Sequence, residues 1–69
     1  MIYDFTQGSA ATSWTIVHNL NNDTVNIDVM VNNGGNIEKA IPQSVIIDSV
    51  NQVTVTFTSA KAGFARLIG

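Results

Sequence analysis

Sixty-nine residues allow one domain and no more, and a chain this short buries only roughly 60% of the surface its unfolded form exposes. Only 12% of the residues are charged and the formal net charge is −2, with Lys39, Lys61 and Arg66 as the sole cations, so the chain has no electrostatic footprint for nucleic acid. There is no cysteine and one histidine, His18, which excludes disulfides and thiolate metal sites and leaves self-association or docking as the expected source of extra stability.

The missing charge is replaced by Asn, Thr, Ser and Gln, neutral groups whose burial against a partner costs far less than burial of ions. No apolar run approaches the ~20 residues that cross a membrane, and Met1–Phe5 lacks the basic start and apolar stretch of a signal peptide.

In chain order, the first predicted strand is Ile2 to Gln7. It is followed by Gly8-Ser9-Ala10-Ala11-Thr12, which reads either as a flexible linker or as a short bend. This divides the chain into an N-terminal strand or arm with its small-residue connection (1–12) and a single domain (13–69). The apolar end, Met1, Ile2, Tyr3 and Phe5, could reach a neighbour as a docking arm or exchanged strand, or pair with the edge of its own sheet.

Ser13 to His18 is the second strand, with Trp14 and Ile16 on one face. Trp14, the single tryptophan, is read as the largest core residue or as a surface anchor. Thr24 to Asn32 follows, with Val25, Ile27, Val29 and Val31 on one face and Asn26, Asp28 and Met30 on the other. A helix would scatter these β-branched residues around its axis. Asn33-Gly34 predicts a tight hairpin turn, because a primed turn needs residues that tolerate positive φ. The return strand runs from Asn36 to Ile41, where Pro42 removes a ladder donor.

Ser44 to Asp48 is short and apolar on both faces at Val45, Ile46 and Ile47. After a turn at Asp48-Ser49-Val50-Asn51, Gln52 to Thr58 alternates, placing Val53, Val55 and Phe57 opposite three threonines. Ala62 to Ile68 closes the chain. About seven short strands at this spacing predict an all-β fold, a small antiparallel β-sandwich of jelly-roll-like or immunoglobulin-like type.

Catalytic chemistry finds little to stand on. His18 has Ser13 and Asp23 nearby in sequence, but no nucleophile elbow accompanies them. It is expected to cap a strand end with its ring nitrogens bonded to turn backbone. The acids Asp4, Asp23, Asp28, Glu38 and Asp48 are too scattered for a calcium loop, and the Asn-Gly-Gly run leads into a strand rather than a phosphate-binding helix. The expectation is a non-enzyme without cofactor or metal.

From Ser13 onward the order of features resembles a bacteriophage virion domain found in tail-fibre proteins and small capsid accessory proteins. The resemblance rests on Trp14-Thr15-Ile16-Val17-His18-Asn19-Leu20, the valine strand, the Asn33-Gly34 hairpin, Ile41-Pro42, the alternation ending at Phe57 and the closing Ala62–Ala65 segment. It spans roughly residues 12 to 68; the His-Asn-Leu element is its most specific part. It implies a β-sandwich for virion architecture, often homotrimeric, with no catalytic residues. In long fibres such a domain is one piece of a larger chain, whereas only about a dozen residues precede it here. A capsid decoration (cement) protein docking on the major capsid protein is therefore expected. The alternative is a tail-fibre or receptor-binding module for host-surface glycan or protein, with Trp14 or Tyr3 supplying the aromatic contact.

Overall fold

The computed structural model describes residues 1–69 and contains strands and turns only. The strands are β1 (Ile2–Val17), β2 (Asn26–Asn33), β3 (Asn36–Ala40), β4 (Ser44–Ser49) and β5 (Gln52–Ile68). All pairings are antiparallel and join the five strands into one sheet in which β5 is central.

The expected seven strands are five, because two pairs of predicted strands fuse. Ile2–Gln7 and Ser13–Val17 are the two ends of β1, and 52–58 and 62–68 are the two ends of β5. The boundary drawn at residue 12 thus falls inside a continuous strand. Gly8–Thr12 is a bend: the register with β5 shifts on either side of Ala11↔Lys61. Extra residues at such bulges kink a strand and increase its twist, and small side chains let the kink close.

The bend divides the sheet into two halves. In the first, residues 63–68 of β5 lie between residues 2–7 of β1 and β2, which carries β3 at the edge. In the second, residues 13–17 of β1 and 52–56 of β5 lie beside β4. Leu67 in the first half and Val53 in the second are fully buried, and one face of a lone sheet cannot enclose a side chain. Side chains of both halves therefore share one interior. Trp14, Ile16, Val53, Val55 and Phe57 meet Val29, Val31, Ala65 and Leu67 in a single core cluster.

Trp14 is the centre of this closure. Its ring lies 4.9 Å from Phe57 and 6.1 Å from Phe5, and its Nε1 donates to the Lys61 carbonyl at 3.0 Å, tying the core to the bend. Of the two readings of this residue, core is the one the structure shows. Gly63 performs a complementary task. A Cβ at this position would collide with the Met30 carbonyl oxygen and come within 2.8 Å of Val31 Cα, so β2 approaches β5 this closely only beside glycine.

The β2–β3 hairpin turns one residue later than the sequence suggests. Asn33 pairs with Asn36, and the turn residues are Gly34 and Gly35, with φ of 61° and 93°. Both are positive, as a primed two-residue turn requires. Asn32 Oδ1 accepts the Gly35 N–H at 2.9 Å and fixes the corner.

Candidate functional site

Three regions bear on function: the His18 loop, the outward face of the first half, and the β4 edge. The first is built around the residues that carry the sequence resemblance. Strand alternation continues from Trp14 and Ile16 to His18, so the imidazole points inward and is buried. Its Nδ1 accepts the Leu20 N–H at 3.0 Å, which places the proton of the neutral ring on Nε2. Nε2 is buried with no partner in the chain, so only one of the two expected ring contacts to turn backbone is made.

Asn19 and Asn21 adopt φ of 55° and 52°, left-handed values that asparagine tolerates better than most residues. These two reversals carry the chain across the β4–β5 turn. The Asn51 carbonyl accepts the His18 and Asn19 N–H groups, Asn51 Oδ1 accepts that of Asn21, and the Val50 carbonyl accepts that of Asn22. Leu20 packs against the core. His18-Asn19-Leu20 is thus the device that docks the loop onto Asn51; the sequence marks Asn51 as a turn residue but not as this anchor.

The outward face of the first half holds an open groove of about 520 Å³. Cross-strand pairing puts Asp4, Arg66 and Asp28 in one row and Phe64, Met30 and Lys39 in the next. Arg66 Nε and Nη2 donate to the two Asp4 oxygens at 2.7 and 3.2 Å, and Lys39 Nζ lies 3.2 Å from Asp28. The hydrogen bond from Arg66 holds the Asp4 carboxyl below its usual range, against a smaller opposing effect of desolvation, and Asp4 raises Arg66. Each cation already has its acid, so the groove offers little free charge to a ligand. No group of three or more His, Cys, Asp or Glu side chains gathers as metal ligands would.

The third region is apolar. Val45, Ile46 and Ile47 on β4 are 37%, 49% and 44% exposed, Val50 is exposed beyond them, and Ile41 ahead of Pro42 is 99% exposed. Val45 and Ile47 share the core face with Val55 and Val53, and Ile46 shares the outer face with Thr54. Nothing covers the far side of β4. The only charge on the strand, Asp48, turns back over the sheet, its Oδ2 accepting from Thr54 Oγ1 at 2.5 Å and from Gln52 Nε2 at 3.2 Å.

The sequence-predicted residues are therefore distributed as follows. Trp14, Ile16, His18 and Phe57 lie in the interior, and Leu20 packs on its margin. Asn33, Gly34 and Pro42 serve turns and strand ends. At the N-terminus, Ile2, Tyr3 and Phe5 pair with Ile68, Leu67 and Ala65 of the same chain, and Tyr3 and Phe5 pack on the core. These residues are an integral part of β1, while Met1 and Ile2 keep exposed side chains at its tip. The apolar edge at β4 was visible in the sequence only as a short run apolar on both faces, which in a half-buried fold is itself a sign of a surface left for a partner.

Comparison with known protein families, with curated proteins and with solved structures found no match.

Proposed function

We propose that this chain is a non-catalytic structural protein of a bacteriophage virion, a capsid decoration protein that binds other protein through its surface. The bent sheet would serve as the two layers of a small sandwich. The observation that carries this reading is the apolar stretch from Ile41 to Val50, left exposed in a chain so poor in charge. Exposed apolar surface of this kind on a small domain marks protein contact. A shell of repeated subunits also turns weak individual contacts into strong collective ones.

The tail-fibre alternative requires an aromatic platform for glycan. Trp14 has no face to offer, since the indole is fully enclosed. Tyr3 and Phe5 are only half-buried and Phe64 is exposed, but none is the tryptophan that this reading looked to first, so it has less support. Homotrimeric assembly, which the sequence resemblance implies, would need one patch of a subunit to meet a different patch on the next.

The test is the copy number of the chain in purified virions relative to the major capsid protein. A ratio near one supports shell decoration. A few copies per particle would transfer the protein to the tail, and complete absence would overturn the virion reading.

A further inference from the structure

We infer that β4 is a self-pairing edge: two copies of this chain join β4 to β4, antiparallel, with Ile46 opposite Ile46 on the two-fold axis. This inference names the contact between copies and does not depend on the virion reading.

The first argument compares the edges of the sheet. Natural edge strands are protected by charges, bulges or coverage, because their free N–H and C=O groups otherwise recruit another strand. β3 carries Glu38 and Lys39. β1 carries Asp4 and is interrupted by register shifts between Gln7 and Ser13. β4 is less protected: its register shift lies only at the end, between Ile47 and Ser49, and its single charge, the exposed Asp48, reaches back over the outer face to Thr54 and Gln52 of β5.

The second argument is complementarity. An antiparallel two-fold pair must place some residue opposite itself, and opposed residues share a face. Centring on Ile46 sets Val45 against Ile47 twice on the core face and Ile46 against itself on the outer face. Asp48 then falls beside Ser44 of the second copy, not beside the other Asp48. Centring on Val45 or Ile47 instead would oppose Ile46 to Ser44 or to Asp48, an apolar residue against a polar one. Only the Ile46 register sets all three central residues apolar against apolar, and it keeps the two Asp48 carboxylates apart. The exposed Ile41 and Val50 flank the strand and extend the contact at both ends. A five-residue seam with these flanks falls at the small end of specific interfaces, so the dimer depends on concentration.

Sedimentation equilibrium of the full chain across a wide concentration range provides the first readout, with twice the chain mass expected at the upper end. Ile46→Lys places like charges opposite each other and should weaken the dimer about tenfold or more, while Ile37→Lys on the exposed β3 should leave it unchanged. Should Ile46→Lys fail to fold, Ile46→Cys supplies an independent readout in a chain that has no other cysteine. Directly opposed strand residues lie within disulfide range, so mild oxidation should yield a covalent dimer from Ile46→Cys and none from Ile37→Cys. A monomer at every concentration, a trimer, a dimer that survives Ile46→Lys, or failure of Ile46→Cys to cross-link would each overturn the inference. Absence of the chain from virions would leave it untouched.

Discussion

Leu67 and Val53 sit near opposite ends of one strand, both fully enclosed, and from the core their two halves of the sheet are equivalent. From outside they are not. Around Leu67 the outer face is a ladder of paired charges, Asp4, Arg66, Asp28 and Lys39, beside Phe64 and Met30. Around Val53 the outer face is Thr15, Thr54, Thr56 and Ile46, ending at an edge whose one carboxylate reaches back over the sheet to Thr54. One half has satisfied its polar groups within the chain, whereas the other leaves a neutral seam open. The difference teaches that a common interior places no constraint on what each outer face does, so binding properties can be concentrated at one edge without weakening the core.

Substitutions can break or sharpen this contrast. Trp14→Ala should have the largest effect, about 4 kcal/mol, as expected for deleting a buried aromatic. It removes the ring shared by both halves, so urea denaturation with amide exchange should show protection lost in β2 and β4 together. Gly63→Ala should cost about 2 kcal/mol through overpacking against Met30 and Val31. Because that clash lies between β2 and β5, exchange should accelerate in the charged half first, and equal loss in β4 would contradict the division. Gly35→Ala, at φ of 93°, should destabilise by about 1 kcal/mol and affect only the β2–β3 hairpin.

Arg66→Gln should change least. The Asp4–Arg66 pair is more than half exposed, and such pairs contribute little at neutral pH. Its signature is in the pH dependence. The folded-state carboxyl titrates below its ordinary 3.8, so the pair's contribution is present above that value and is lost as pH falls through the depressed one. Urea midpoints measured between pH 6 and pH 2 should therefore show a shallower acid decline in Arg66→Gln than in the parent chain.

Much of the strand pattern was legible because burial on one face writes itself as alternation. Ile27, Val29 and Val31 point inward as their spacing requires, and so do Val53, Val55 and Phe57. The fusion of strands was not legible. A bulged bend and a linker select the same small residues, and Gly8–Thr12 has no apolar alternation to show that pairing resumes across it. His18 was legible in part: it stands at the end of β1 with Nδ1 bonded to the Leu20 backbone, while nothing in the sequence signalled that Nε2 would be buried without a backbone partner. The candidate edge was only half visible, because the sequence shows that β4 is apolar on both faces but not that no strand lies beyond it. The Asp4–Arg66 pair joins residues 62 positions apart and needs the register to be seen.

The two ends of the chain meet in a reciprocal pair of hydrogen bonds, Met1 N to the Gly69 carbonyl at 2.8 Å and Gly69 N to the Met1 carbonyl at 2.9 Å. The molecule is thus almost a closed ring. Joining its ends through a short added turn would leave the core in place, yet would deny the unfolded chain a large share of its freedom, on the order of 4 kcal/mol by loop-closure reasoning. Reopening such a circle at the Gly34-Gly35 turn would give a permutant with the same core. Any cargo fused to either terminus leaves from one corner, next to Ile2 and Ile68, where Gly69 lies against Leu20 of the loop that docks on Val50 and Asn51.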